Sequence, residues 1–282
     1  MSDSPTSSSP IYARSRIVED PSACTFYHTV DLPGFGHIDG QWDLRGHLGQ
    51  YLGDVPLSGK RVLELGTADG YIAFEMERQG AEVVSYDLSE AHSWDVVPYA
   101  RHSNDPARQR DDGYWLATHE RFRDGIRRLN NAYWLSHRAH GSSARVVYGT
   151  VYDVPSAIGE FDVATFGAIL LHTRDPFGAL ASASRLTTET IVVTEPRDRL
   201  SLPPALRKLR GLLPQRLRRP TMRFLPDWQT ARDPDGWWNL SPELVVAFLG
   251  VLGFERTTVT YHAQPYKGRP RPMYTVVGQR AR

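Results

Sequence analysis

The stretch RVLELGTADGYIAFEMERQGAEVVSYDLS, residues 61–89, constrains the fold more than any other part of the chain. A β-rich run, Arg61–Leu65, enters a glycine turn; YIAFEMERQ follows with helical character; EVVSYD is β-rich again and ends on Asp87. Gly80 stands where a residue of positive φ ends a helix. Strand, turn, helix and strand in so short a span make a βαβ unit. Two parallel strands need such a crossover, and its helix needs a sheet to cover.

Further runs extend the pattern. ARVVYGTVYD (144–153, strand at its start), FDVATFGAIL (161–170) and TIVVTEP (190–196) are short, apolar and β-branched. Separated by helical segments, such runs predict a parallel sheet buried on both faces, an α/β fold. DPFGALASASRL reads as a helix starting at Asp175 and Pro176. SPELVVAFLGVLGF reads as another, with Ser241 as cap, Pro242 in the first turn and Gly253 as stop. ERTTVTYHAQPY and PMYTVVGQR, joined by a Lys/Gly/Arg/Pro turn, predict a terminal hairpin.

Two segments interrupt the series. Residues 88–143 contain a polar loop and an aromatic helical stretch, IRRLNNAYWLSHRAH; residues 197–235 are rich in Arg and Pro. Insertions at the carboxyl ends of strands are where open α/β sheets place substrate-binding parts, so both are candidate lids.

The chain has 282 residues, 40% hydrophobic and 23% charged, which suits one large domain with insertions. A formal net charge of +1 gives no global pull toward nucleic acid or an anionic membrane. The single cysteine, Cys24, excludes an internal disulfide and a multi-cysteine metal site. The ten histidines form no spaced ligand pair, so no metal is expected. Residues 1–13, biased to Ser and Pro, are expected to be a disordered tail. No apolar run reaches the roughly 20 residues of a membrane span. A cytoplasmic protein is expected, and high Arg, Ala and Pro usage suits a bacterial genome. A homodimer is compatible with the sequence.

The turn discriminates between cofactors. A dinucleotide turn asks for G-x-G-x-x-G. Here Gly66 begins it, but Ala68 and Tyr71 hold the next two glycine places, leaving E-x-G-x-x-x-G through Glu64, Gly66 and Gly70. No Lys-Ser/Thr pair follows, which excludes a P-loop. A cofactor without a diphosphate needs fewer glycines, and S-adenosylmethionine is one.

VLELGTADGY resembles motif I of the class I S-adenosylmethionine-dependent methyltransferases, and the resemblance covers Ser58 to Arg280. FYHTVDLPG, GKRVLELGTADGYIAFE, LLHTRDP and WW-x-LSPE are most similar to the branch containing tRNA wobble-uridine (carboxy)methyltransferases and small-molecule relatives. The resemblance implies a Rossmann-like, seven-stranded, mostly parallel sheet with an antiparallel terminal hairpin. It implies a methyltransferase domain at 58–282, with an N-terminal helical or loop segment, 14–57, over the active site. Gly66, Thr67, Ala68 and Gly70 would pass beneath the methionyl part, Glu64 would orient the loop, and Asp87, followed by Leu88, would hold the ribose hydroxyls. Val151 and Tyr152 would flank the adenine, with Asp153 near its amino group.

Methyl transfer needs a positioned and deprotonated acceptor. His172, just after FDVATFGAIL, is the candidate general base; His28 and Glu195 are further candidates. Tyr27, Trp42, Trp237 and Trp238 are candidate walls of an acceptor pocket, and Arg174 or Arg138 a clamp for an acidic group. Leu171 stands where the carboxymethyl-transferring relatives have a tyrosine. An apolar side chain leaves an extra carboxylate unsatisfied, which favours ordinary S-adenosylmethionine. The sequence reading is methyl transfer to an oxygen or nitrogen of a small molecule; the alternatives are tRNA modification, for which arginines at 197–223 would track phosphates, and cofactor binding without catalysis.

Overall fold

The computed structural model describes residues 11–99, 111–197, 219–230 and 235–281. Eleven strands and five helices are built among them. The N-terminal part carries a small hairpin, β1 (Val30–Leu32) and β2 (Gly36–Ile38), and a short helix α1 (Leu48–Tyr51). The βαβ unit follows as β3 (Arg61–Leu65), α2 (Tyr71–Arg78) and β4 (Glu82–Asp87). Then come α3 (Asp112–His140), β5 (Arg145–Tyr148), β6 (Phe161–Gly167), α4 (Pro176–Ser184) and β7 (Thr187–Pro196). β8 (Met222–Phe224) lies in the second insertion and β9 (Trp238–Leu240) just after it; α5 (Pro242–Val251), β10 (Arg256–Tyr266) and β11 (Arg269–Gln279) follow.

The central sheet has seven strands in the order β10-β11-β7-β6-β3-β4-β5. β5, β4, β3, β6 and β7 are parallel, while β11 inserts antiparallel between β7 and β10. This is the class I methyltransferase fold. Strand order reverses between β3 and β6, so their carboxyl ends open a crevice, the place where sheets of this type hold ligands.

The strands form where they do because both faces are covered. Four of the five residues of β3 and four of the six of β4 are buried, as continuous apolar runs require. One core cluster packs the residues of α1, α2 and α3 against the sheet; a second packs those of α4 and α5 against its other face. Asp175 caps α4 by accepting from Gly178 N at 2.8 Å, and Ser241 caps α5. The first insertion holds a 29-residue helix, α3, which begins fourteen residues before the expected Ile126. Trp115, Thr118, Phe122 and Ile126 form its buried stripe, at a spacing of one helical turn. Asp111 caps it through Tyr114 N at 2.9 Å.

The segment before the sheet is more than a loop. Its residues Gln41–Asp43 extend alongside the tip of β10: Asp43 N donates to Pro265 O at 3.0 Å and Lys267 N to Gln41 O at 2.7 Å. We refer to residues 25–43 as the strap. The expected tail, residues 1–13, falls largely outside the described residues, and so does most of the arginine-rich stretch, at 198–218.

Candidate active site

The turn between β3 and α2 is held in a conformation that costs energy. Gly66 (φ 79°) and Gly70 (φ 83°) occupy the left-handed region, which glycine tolerates, and Ala68 (φ 52°) lies there too. A non-glycine residue at such a φ costs about 1–2 kcal/mol. The contact that holds Ala68 is its N–H, which donates to Asp87 Oδ2 at 2.8 Å. Asp87 Oδ1 accepts from Leu88 N at 2.7 Å. Each carboxylate oxygen thus takes one backbone donor and keeps further lone-pair capacity, a donor set suited to the two adjacent hydroxyls of a ribose. Burial pushes the Asp87 carboxyl up from its ordinary value, an effect opposed by those two backbone donors.

Glu64 is buried beneath the turn. Its Oε2 accepts from Thr67 Oγ1 at 2.5 Å, which fixes the turn from below. Burial raises its carboxyl to about 8. Glu64 Oε1 and Thr165 Oγ1, registered side by side on β3 and β6, have no protein partner and line a cavity of about 10 Å³, the size of one water molecule.

Asp69, not singled out in the sequence, organises the other side of the turn. It is 1% exposed. Its Oδ2 accepts from the backbone N–H groups of Tyr27 and His28, both at 2.7 Å, and its Oδ1 lies 2.7 Å from His28 Nδ1. The same Oδ1 is 3.4 Å from Tyr71 N, at the start of α2. The His28 ring stacks on Tyr71 at 5.5 Å between centroids, with Tyr27 edge-on at 5.2 Å. Tyr27 and His28 are therefore clasped onto the turn, and burial raises the Tyr27 phenol to about 12. The only sequence signal for Asp69 was an acid just ahead of a helix, which a solvated capping residue gives equally well.

This arrangement bears on the cofactor. In dinucleotide and P-loop sites the helix N-terminus receives phosphate. Here a protein carboxylate, Asp69, already stands at that terminus, 3.4 Å from Tyr71 N. A diphosphate would have to compete with it for the terminus. A phosphate-free nucleoside does not, and Asp87 offers its sugar two acceptors; the residues fit S-adenosylmethionine.

The loop after β6 forms the facing wall. Ala168 (φ 55°) again holds the left-handed region, and Ile169 leans over the turn, so that a Cβ on Gly66 would lie 2.4 Å from Ile169 Cγ2. Glu195, buried at the end of β7, accepts from Leu170 N at 2.8 Å through Oε1 and holds the loop. Burial raises its carboxyl to about 8. His172 follows, half exposed, with Nδ1 2.7 Å from Asp235 O. A carbonyl can only accept, so Nδ1 carries the proton and Nε2 is left as the basic atom.

The remaining sequence candidates divide. Tyr152 gives its hydroxyl to a cluster: it donates to Asp95 Oδ2 and accepts from Arg174 N at 2.8 Å. Val151 is partly buried in the core and Asp153 is exposed. Trp42 lies in the core, tilted against Tyr266 with ring centroids 4.6 Å apart, where it staples the strap to β10. Trp237 is buried with Val97, Tyr99 and Trp115, and its indole N–H donates to Asp95 O at 2.9 Å. Both are packed structurally. Trp238 donates to Arg174 O at 3.1 Å and lines a cavity of about 260 Å³. Arg174 and Arg138 are paired at the surface with Asp95 and Glu19.

That cavity lies beside the His172 loop, bounded by Leu171, Glu195, Trp238 and Leu240, with the β8–β9 hairpin as one side. Its size is just under the roughly 300–1,000 Å³ usual for small-molecule sites. Among the described residues there is no cluster of three or more His, Cys, Asp or Glu side chains placed to hold a metal, and no helix is long and apolar enough to cross a membrane.

Fold and crevice together define a class I methyltransferase. A family model described as a methyltransferase domain matches residues 39–237, and the chain belongs to that family. Among solved structures, it is similar to the N-terminal domain of EvdMO1 with S-adenosylhomocysteine bound, at 16% identity, with 92% of this chain and 93% of that one covered and a TM-score of 0.53. The same domain in the presence of S-adenosylhomocysteine and D-fucose gives 17% identity, 92% and 93% coverage, and a TM-score of 0.50. Magnesium protoporphyrin IX methyltransferase from Synechocystis PCC 6803, with S-adenosylhomocysteine bound, gives 12%, 84% and 82%, and 0.47. No curated protein matches the sequence.

Proposed function

We propose that the chain transfers a methyl group from S-adenosylmethionine to an oxygen or nitrogen of a small-molecule acceptor. The observation that carries the reading is the pair of carboxyl groups at the turn. Asp69 fills the helix terminus that a diphosphate would need, and Asp87 presents acceptors suited to a ribose. Membership of the methyltransferase family supports the same reading.

When bound, S-adenosylmethionine would supply a methyl group made electrophilic by its sulfonium, with the neutral thioether of S-adenosylhomocysteine as the leaving group for in-line attack by the acceptor. The protein's own residues do the rest. Asp87 holds the sugar, and the turn from Gly66 to Gly70 supports the methionyl part. Glu195 fixes the loop that carries His172. His172 Nε2 takes the acceptor's proton, an effect worth roughly 10²–10⁴-fold where the acceptor must be deprotonated. The cavity beside Leu171 encloses the acceptor and keeps bulk water away.

Calorimetry tests the cofactor. S-adenosylhomocysteine is expected to titrate and NADH to give no heat, and Asp87→Ala is expected to weaken binding by about tenfold or more, since hydrogen bonds to a charged group are each worth about 1.5–3 kcal/mol. The opposite preference between the two ligands overturns the reading. His172→Ala is expected to retain binding and lose turnover.

A further inference from the structure

β4, β5 and β6 are parallel strands of one sheet, so the loops that follow them share its carboxyl edge. Asp95 lies in the loop after β4, Tyr152 in the loop after β5 and Arg174 in the loop after β6. The three converge on one carboxylate. Asp95 Oδ2 accepts from Arg174 N at 2.7 Å and from the Tyr152 hydroxyl, which itself accepts a second bond from Arg174 N at 2.8 Å. The Asp95 side chain is only 20% exposed, so water competes weakly for these contacts. Asp95 also acts through its backbone, because its carbonyl accepts from the Trp237 indole N–H at 2.9 Å. One residue of the first insertion thus joins four segments of the chain.

Both arms of this joint end beside the groups that set His172. Arg174 follows it by two residues. Trp237 follows Asp235 by two residues, and the Asp235 carbonyl receives the His172 Nδ1 proton at 2.7 Å. The backbone ahead of His172 has fasteners of its own, Glu195 at Leu170 N and Trp237 N at Leu171 O. The backbone behind it is tied to Asp95 and Tyr152. The imidazole keeps its tautomer only while the Asp235 carbonyl stays in place. That carbonyl's segment is joined to the first insertion by the indole bond to Asp95 O and by the packing of Trp237 against Val97 and Trp115. A reacting group is held this well only when the residues around it are themselves locked.

We propose that Asp95 is a positioning residue for methyl transfer: with Tyr152 it locks the first insertion onto the His172 loop and so holds His172 with Nδ1 on Asp235 O and Nε2 left to take the acceptor's proton. The inference rests on the reading of His172 as the base. Asp95 itself transfers no proton. The first insertion serves the chemistry through the geometry of this joint, without a contact to the reacting atoms.

The test is nitrogen NMR of the full chain with isotope-labelled histidine and S-adenosylhomocysteine bound, the His172 ring being assigned from its loss in His172→Gln. The parent protein is expected to show one dominant tautomer, with the proton on Nδ1. Asp95→Ala is expected to lower the ratio of the Nδ1–H to the Nε2–H form about fivefold, the effect of about one hydrogen bond, with S-adenosylhomocysteine affinity unchanged. Asp95→Asn keeps an oxygen acceptor for Arg174 N and is expected to restore most of that ratio. Tyr152→Phe removes one partner only and is expected to fall between; it carries the same test if Asp95→Ala does not fold. A ratio unchanged in Asp95→Ala and Tyr152→Phe, a ratio lowered equally in Asp95→Asn, or a parent ring without a preferred tautomer overturns the proposal. Full turnover in His172→Ala overturns instead the base reading beneath it, and failure of the parent protein to bind S-adenosylhomocysteine the cofactor reading.

Discussion

Gly66 shows how one missing methyl group sets two loops at once. Its φ of 79° suits only glycine, and its Cα approaches Ile169 so closely that an added Cβ would lie 2.4 Å from Cγ2. Gly66→Ala is therefore expected to lose about 1–2 kcal/mol through backbone strain, with a steric term added. In the double variant Gly66→Ala/Ile169→Ala the clash is gone and the backbone term stays. A urea-denaturation cycle reads the difference as a positive coupling between the two sites. Glu195 is the second residue with a measurable signature. Its carboxyl titrates near 8 in the folded chain and near its ordinary 4.5 when unfolded. Between those values the folded state keeps a proton that the unfolded state releases, so this group's contribution to stability falls as pH rises. Glu195→Gln keeps the acceptor for Leu170 N and removes the titration. Its melting temperature is expected to fall less than that of the parent protein between pH 5 and pH 8.

The strap is an element whose attachment depends on one carboxylate. Asp69→Ala removes the acceptor of Tyr27 N, His28 N and the His28 ring together. Hydrogen bonds to a charged acceptor are worth about 1.5–3 kcal/mol each, so hydrogen exchange at the Tyr27 and His28 amides is expected to quicken by tenfold or more, with β3 and β4 amides little changed. This clasp was not legible in the sequence, because its partners lie 41 and 42 residues apart and no local pattern joins them. The long strands were legible for the opposite reason. RVLEL and EVVSYD coincide with β3 and β4 residue for residue, since continuous burial writes itself into composition. β1, β2 and β8 were not, being three residues long, with β2 and β8 largely exposed as well. The first half of α3 was obscured by its charged outer face, with only Trp115, Thr118 and Phe122 turned inward. The glycine turn after β3 and the place of Asp87 at the end of β4 were legible from spacing, whereas the burial of Trp42 and Trp237 was not, because an indole serves core and ligand equally well.

At the scale of the whole molecule, cofactor and fold are linked through the crevice. The β3–α2 turn, the end of β4 and the strap meet at Asp69 and Asp87, so a ligand seated there favours the folded chain over the unfolded one. At a concentration about 100 times its dissociation constant, S-adenosylhomocysteine is expected to add about 2.7 kcal/mol. A thermal shift of several degrees, absent with NADH and much reduced in Asp87→Ala, is the expected reading.

The strap is clasped by Asp69 near one end, yet its other end is fastened to the tip of β10, through Trp42 on Tyr266 and the backbone bonds of Gln41 and Asp43. The ribosome makes that tip some 220 residues after the strap. A nascent chain can close its βαβ unit early, but the far end of the strap has nowhere to anchor until the β10–β11 hairpin has emerged. Fastening of the strap at both ends therefore waits on a pairing between distant parts of the chain.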